Sequence, residues 1–399
     1  MILAHKIRIY PNEEQKKIID KSCKVQGFIY NWGLKTWQEQ YKNGEKPTVI
    51  KLKKLFNSIK EKEFSFVLEV TKCCVEGAFQ NLDRAFKNFF NKTSKYPKFK
   101  KFIKKNSFYV ANDKFSIKNK LLHIPKIKEK VKCSENLRFN GKIMSATISK
   151  TPSNKYYISI QVEQPLKDFK ETNNQIGLDL GIKDLIITSN NEKYNNPKWI
   201  CKVEKRLKRK QRSLSRRKKG SKNREKTKLK IAKLNERITN QRKDYLNKIS
   251  TYIVNTNDKI AIEDLNIKGM LKNHHIAKSL SNVSLYEFIR QLEYKSKLNQ
   301  KILKKVDRWF PSSKTCSVCG CVNNDLDLND RVWTCNECGS KLDRDINASL
   351  NILREAFSCK FGDRPITDIK NISSIYQIDW MNQKVKCQDN MGSYYRTII

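Results

Sequence analysis

The sequence predicts a multidomain α/β protein, and three observations carry that expectation. The texture changes along the chain, from one alternating strand to a helical block, then to short β-branched segments, then to strands interspersed with long helices. Three acidic residues in the last 60% of the chain end or open such elements. Four cysteines at metal-binding spacing fall between the second acid and the third.

Taken in order, residues 3–10 alternate as a strand does, and Pro11 stops them. Asn12 caps a helix expected to run to about Tyr41, with Ile18, Ile19, Val25, Ile29 and Leu34 at its apolar positions. Further helical periodicity covers about 48–60 and 64–92, the second with Val67, Val70, Cys74, Ala78, Leu82, Ala85, Phe86, Phe89 and Phe90 on one face. Residues 93–105 break that pattern and interleave bases with aromatics. From 107 to 163 strands are expected at Ser107–Val110, Lys114–Ile117, Leu121–Ile124, Ser145–Ser149 and Tyr156–Val162. The helical block therefore reads as an insertion between one N-terminal strand and the rest of a small barrel. A polar linker, 167–174, leads to strands 175–181 and 184–189, a hairpin across Gly181-Ile-Lys-Asp184. Residues 202–255 read as two long helices joined near 218–222.

Composition bounds the partners. Of 399 residues, 83 are Lys or Arg and 40 are Asp or Glu, a formal net charge of +43. Such a chain repels itself unless a polyanion neutralises it, so nucleic acid is the natural partner, with an anionic membrane surface as the competing reading. No apolar run approaches the ~20 residues of a spanning helix. Lys6 and Arg8 interrupt the N-terminus where a signal peptide needs apolar residues. The expectation is a cytoplasmic protein with reduced thiols. Segment 202–243 holds 20 Lys/Arg against three Glu and no Asp. Its density favours phosphate contact over a merely solvated face, with Lys205, Arg206, Lys208, Arg209, Arg212, Arg216 and Arg217 as candidates. Tyr96, Lys98 and Lys100 are a second candidate set, although Phe99 and Phe102 beside them fit a core equally well.

The acids are Asp179 in Ile176-Gly-Leu-Asp-Leu-Gly181, Glu263 in Ile260-Ala-Ile-Glu-Asp264, and Asp345 in Asp343-Arg-Asp-Ile-Asn-Ala348. Each alone has a bland reading: a salt-bridged hairpin acid, a strand-end acid, and a first-turn acid favoured by the helix dipole with Asp343 as N-cap. Together they are what an RNase H-like sheet needs to gather three carboxylates. Mg²⁺ prefers such oxygen ligands, and two ions about 4 Å apart can serve phosphodiester hydrolysis. No Ser-His-Asp or Cys-His arrangement competes; His274 and His275 are expected in a polar loop. Cys316-x2-Cys319 and Cys335-x2-Cys338, each followed by Gly, have the spacing of a closed structural Zn²⁺ ribbon. Cys321 is a less favoured ligand. The apolar face of the last helix is expected at Ile346, Leu350, Leu353 and Phe357.

These blocks resemble, in register, the transposon-encoded RNA-guided endonucleases called TnpB, or OrfB of IS200/IS605-type elements. The resemblance runs through Lys6-Ile-Arg-Ile-Tyr-Pro11, Tyr30-Asn-Trp-Gly-Leu34, Leu82-Asp-Arg-Ala-Phe-Lys-Asn-Phe-Phe90 and Tyr96-Pro-Lys-Phe-Lys100. It continues through Gly177-Leu-Asp-Leu-Gly-Ile-Lys183, Ile262-Glu-Asp-Leu265, Pro311-Ser-Ser-Lys-Thr-Cys-Ser-Val-Cys-Gly320 and Asp343-Arg-Asp-Ile-Asn-Ala348. It implies that Asp179, Glu263 and Asp345 are RuvC-type catalytic acids binding Mg²⁺, and that the four cysteines bind zinc. It implies a wedge β-barrel domain (1–12 and 106–170), an inserted helical recognition domain (13–105), a RuvC-like nuclease domain (171–310 and 341–358) and a zinc ribbon (311–340). It also implies a guide RNA, a double-stranded DNA target beside a short flanking motif, and residence in a prokaryotic cytosol or nucleoid. Residues 359–399 extend past the last motif without a defined role. Compact Cas12f-type CRISPR effectors look similar. A transposase proper and a guided DNA-binding repressor are the remaining alternatives, the last disfavoured because all three acids are present.

Overall fold

The computed structural model describes residues 1–101, 106–327 and 330–357; the 359–399 extension and Phe102 lie outside them. The elements, in chain order, are β1 (Ile2–Tyr10), α1 (Glu13–Lys42), α2 (Val49–Glu63), α3 (Cys73–Phe90), β2 (Ser107–Ala111), β3 (Ser116–Lys118), β4 (Leu121–His123), β5 (Val131–Cys133), β6 (Lys142–Lys150) and β7 (Tyr156–Glu163). There follow β8 (Gln175–Leu180), β9 (Asp184–Thr188), β10 (Lys193–Asn195), α4 (Trp199–Ser215), α5 (Lys222–Thr256), β11 (Lys259–Glu263), α6 (Ile267–Met270), α7 (His274–Val283), α8 (Leu285–Leu298), β12 (Ile302–Val306), β13 (Val332–Thr334), β14 (Lys341–Asp343) and α9 (Arg344–Phe357). The result is mixed α/β. Two compact units share them: Met1–Asn174 with Asn195–Ile260 and Asn266–Leu303, and Gln175–Tyr194 with Ala261–Leu265 and Lys304 onward.

In the first unit, β1 lies between β7 and β5 in a seven-stranded sheet of order β2-β6-β7-β1-β5-β4-β3. Its antiparallel register with β7 runs from Ile2 opposite Glu163 to Ile9 opposite Tyr156. The chain thus leaves the sheet after one strand and returns to it at β2, with α1–α3 between. Alternation explains the docking, since Ile7 and Ile9 of β1 share one core with Ile19 and Ile29 of α1, Phe56 of α2, and Phe79 and Leu82 of α3. Asn12 caps α1 reciprocally with Gln15, a capping box. Aromatic packing sets the helices: Trp32 meets Phe56 edge-on at 4.9 Å between centroids, and Trp37 stacks on Phe86 at 3.9 Å.

Four expectations need correction. The helix predicted over 64–92 is two pieces: a 3-10 turn, Ser65–Glu69, then extended Val70 and a fresh start at α3. Thr71 Oγ1 accepts from the Cys73 N–H at 3.3 Å and competes with helix continuation, so Val67 and Val70 reach the core from outside the helix. The strand expected at 114–117 starts at Ser116, after a 3-10 turn over Asn112–Lys114. His274 and His275 open α7 rather than lie in a loop, because Asn273 caps it by accepting from the His275 N–H at 3.0 Å. The buried face of α9 is also only in part the one expected.

α4 and α5 form the predicted basic hairpin, and α8 packs along α5. Lys295 is buried there, donating to the Asn247 carbonyl, Ser250 Oγ and Thr251 Oγ1 at 2.7–2.8 Å. The second unit is built on a five-stranded sheet, order β10-β9-β8-β11-β12. β8 and β9 form the expected antiparallel hairpin, Leu178 opposite Thr188 and Asp179 opposite Ile187. Among the described residues no helix is long and apolar enough to cross a membrane.

Candidate active site and metal centre

The neighbours β8 and β11 each bring one acid to the second unit. Ile176, Leu178 and Leu180 of β8 and Ile260, Ala261 and Ile262 of β11 are buried, and Asp179 and Glu263 are the acidic residues of these apolar strands. α9 lies against β8 at van der Waals range, and Gly177 is what permits it. A Cβ there would come 2.0 Å from the Ser349 carbonyl oxygen and 2.9 Å from Leu353 Cβ. That approach sets the first turn of α9, with Asp345, above the strand. Asp343 Oδ1 accepts from the N–H groups of Asp345 and Ile346, both at 3.1 Å, which is the capping role expected of it. Lys193 holds the other Asp343 oxygen at 2.8 Å.

The electrostatics register the meeting of the three acids. Burial raises the Asp179 carboxyl to about 7, and the charges of Glu263 and Asp345 push in the same direction. Arg344 and the Leu180 N–H pull it back only in part. The donors of the set are all carboxylate oxygens, the ligand chemistry of Mg²⁺. Two residues not singled out in the sequence touch these acids, and a third pairs with the residue beside Glu263. Ser312 Oγ donates to Glu263 Oε1 at 2.5 Å. Arg331 lies 3.2 Å from Asp345 Oδ2. Arg308 pairs with Asp264, the residue after Glu263. Ser312 falls in the Pro-Ser-Ser run before the first cysteine, a positional cue; Arg331 carries no local signal, since its partner is 14 residues away.

The four cysteines converge. All four Sγ atoms lie within 4.8 Å of one another, with Cys316–Cys338 at 3.7 Å and Cys319–Cys335 at 3.6 Å. A tetrahedral ion with Zn–S bonds of about 2.3 Å spaces its sulfurs about 3.8 Å apart, so the cage fits zinc. Both knuckles close alike: the N–H of Gly320 donates to the Cys316 carbonyl and that of Gly339 to the Cys335 carbonyl, each at 2.9 Å. Both glycines have positive φ, 85° and 67°. Cys321 lies outside the four-sulfur set; its carbonyl accepts from the Cys316 N–H at 2.7 Å.

The ribbon is docked on α9 through asparagines. Asn347 Nδ2 donates to the Thr315 carbonyl at 2.7 Å, and Asn347 Oδ1 accepts from the Ser317 N–H at 2.8 Å. Asn351, one turn on, donates to the carbonyls of Ser312 at 2.8 Å and Thr315 at 2.5 Å. The buried residues of α9 include Asn347, Ala348, Asn351, Ile352 and Leu353; of the expected face Leu353 is buried, while Ile346, Leu350 and Phe357 are only half-buried. Apolar periodicity found Leu353 but missed the rest of the face, because Asn347 and Asn351 are buried through hydrogen bonds beside Ala348 and Ile352.

The basic candidates belong to the first unit. Lys205, Arg206, Lys208, Arg209, Arg212 and Arg216 are exposed on α4 or just past its end, and all but Arg206 line one open depression with Arg217. Lys208 pairs with Glu204 at 3.0 Å, and Arg217 braces the α4–α5 turn by donating to the Asn223 carbonyl at 2.7 Å. Tyr96 packs edge-on against Phe89 at 5.2 Å, and Lys100 sits 3.5 Å over the Tyr30 ring, so these two also anchor their segment to the helices. Lys98 and Phe99 are exposed.

Comparison with known proteins places the chain. Residues 157–274 match the OrfB_IS605 family, described as "Probable transposase"; 286–352 match the Cas12f1-like TNB domain. Residues 1–46 match a family described as a helix-turn-helix domain, although here they form a strand and one continuous 30-residue helix. A Streptomyces pristinaespiralis protein named "Putative RNA-guided DNA endonuclease" is 35% identical over 371 residues, covering 91% of this chain and 92% of its own. An Escherichia coli (strain K12) protein of the same name, InsQ, is 29% identical over 88% of this chain and 91% of its own. A Cas12f1–sgRNA–target DNA complex contains a chain of like fold, TM-score 0.54 at 14% identity, covering 88% of this chain and 98% of that one. The chain belongs to the TnpB (OrfB, IS605-type) family.

Proposed function

We propose that this chain is a transposon-encoded RNA-guided DNA endonuclease that hydrolyses phosphodiesters at Asp179, Glu263 and Asp345. The observation that carries the reading is the convergence of three acids: Asp179 on β8, Glu263 at the end of the neighbouring β11, and Asp345 in the first turn of α9, which packs on β8 at Gly177. Their proximity shows in the raised Asp179 carboxyl. Carboxylates crowd in this way, against their own repulsion, where cations are to be bound. Mg²⁺ bound to the three would supply an activated water and charge neutralisation at the leaving oxygen. The chain's own residues do the rest. Ser312 fixes the Glu263 carboxylate by its hydrogen bond, and Arg331 offers a guanidinium beside Asp345 for a phosphate oxygen. The α9 asparagines fix the ribbon, so zinc at Cys316, Cys319, Cys335 and Cys338 stabilises the loop from which Ser312 comes.

In this reading the nuclease domain (171–310 and 341–358) is RuvC-like, with an RNase H-like sheet and the ribbon (311–340) inserted. Residues 1–12 and 106–170 form the wedge barrel, and 13–105 the recognition insert. Guide pairing reads the target, and the protein holds the heteroduplex by its backbone. Lys205, Arg206, Lys208, Arg209, Arg212 and Arg216 supply phosphate contacts, which position without specifying. Lys98 and Lys100 are further candidates. The prokaryotic cytosol or nucleoid is where such a partner is met.

The test is to express the protein with its native flanking locus, purify it and sequence the RNA that accompanies it. The reading expects one discrete RNA ending in sequence from just outside the element. RNA built from repeat and spacer would make the chain a Cas12f-type effector, and absence of any specific RNA would remove the guide.

A further inference from the structure

The turn that delivers Ser312 to Glu263 also presents a side chain that nothing above uses. After β12, the N–H of Trp309 donates to Asp307 Oδ1 at 2.8 Å, that of Phe310 to the Asp307 carbonyl at 3.2 Å, and that of Ser312 to the Phe310 carbonyl at 2.8 Å. The reversal is tied to the acid-bearing strand at three points. The Asp264 N–H donates to the Val306 carbonyl at 2.9 Å, Arg308 pairs with Asp264, and Ser312 donates to Glu263. Phe310 turns inward, onto Ala261, Val306 and Ile352. Trp309 turns out. It is 84% exposed, more than any other large apolar side chain among the described residues, and it makes no ring contact there.

A braced turn holding an indole in water, three residues from the hydrogen-bond donor of Glu263, has the indole within ~10 Å of chain from that acid's partner. We propose that Trp309 is a stacking platform for an unpaired base of single-stranded DNA, and that it sets the position of the strand over Asp179, Glu263 and Asp345. The inference rests on the endonuclease reading and names how its substrate is held. Three carboxylates repel a phosphate chain, so the strand needs a grip that is not anionic. An aromatic face grips a base and leaves its phosphate free to approach the cations. Stacking tolerates every base, which suits an enzyme whose sequence reading is delegated to a guide. It also requires an exposed π-face, so the ligand is an unpaired strand and not a duplex. The immediate neighbours Asp307 and Arg308 are charged, and one isolated ring among them fits a single base better than the broad apolar surface of a protein partner.

The test uses the full chain with its co-purified RNA, Ca²⁺ in place of Mg²⁺, and a single-stranded oligothymidylate as probe. Wild type is expected to lose part of its tryptophan emission on binding, and W309F to lose clearly less while keeping most of the affinity. W309A should bind on the order of 5- to 100-fold more weakly. Equal quenching in wild type and W309F, or unchanged affinity in W309A, overturns the platform, as does a response confined to an RNA oligonucleotide. Failures separate as follows. Trp309-dependent binding without cleavage in Mg²⁺ removes the endonuclease reading and leaves the platform. Guided cleavage with no dependence on Trp309 removes only the platform. Thermal melts of W309A matching wild type exclude misfolding as the cause.

Discussion

Asp179 is buried beside Glu263 and Asp345, whose charges add to burial in raising its carboxyl to about 7, so a bound cation would favour its charged form. Asp179→Ala is therefore expected to remove cleavage, on the order of a thousandfold or more, while guided DNA binding persists, as a gel-shift beside a cleavage assay will show. Ser312 touches the reaction only through Glu263, so Ser312→Ala should cost about 10- to 100-fold in kcat and leave DNA affinity unchanged. The three acids were legible in the sequence because each punctuates an apolar element. Ser312, Arg308 and Arg331 were not, because each meets its acid through the fold, across 49, 44 and 14 residues.

At the scale of elements, the contact between β8 and α9 depends on a missing side chain. Gly177→Ala puts a Cβ into the Ser349 carbonyl, which must push helix from strand. A loss of about 1–3 kcal/mol in denaturant unfolding is expected, with cleavage falling further than stability. Asn351→Leu removes the donor to the Ser312 carbonyl and leaves the Thr315 carbonyl with Asn347 alone, and should cost about 1–3 kcal/mol. A pH signature belongs to the start of β11. Although burial opposes it, Lys301 and the Thr172 and Asn173 donors hold the Asp258 carboxyl down at about 2. A depressed carboxyl contributes stability above its unfolded value, about 3.9, and loses it as pH falls through the folded one. Asp258→Asn should thus be less stable than wild type at pH 5, and the gap should close between about pH 4 and pH 2, read from urea midpoints. The hairpin 175–189, α1, α4 and α5 were legible from periodicity and caps. The start of α3, the short strands β5 and β12, and most of the buried face of α9 were not, because a threonine hydroxyl, sheet pairing and asparagine bonds decided them.

The whole molecule carries a net charge of +43, much of it on exposed lysines and arginines of α4 and α5. Affinity for nucleic acid should fall steeply and linearly in log–log terms with salt; a flat response contradicts the phosphate-contact assignment. The four-cysteine cage, Asn347, Asn351 and Ser312 form one connected path to Glu263. The most direct measurement is guided cleavage itself. Protein with its RNA is given Mg²⁺ and two plasmids bearing the native flanking sequence, one matched to the guide and one scrambled. A cut is expected in the matched plasmid alone, lost in Asp179→Ala. Equal cutting of both plasmids, or wild-type cutting by Asp179→Ala, would contradict the guided-endonuclease reading.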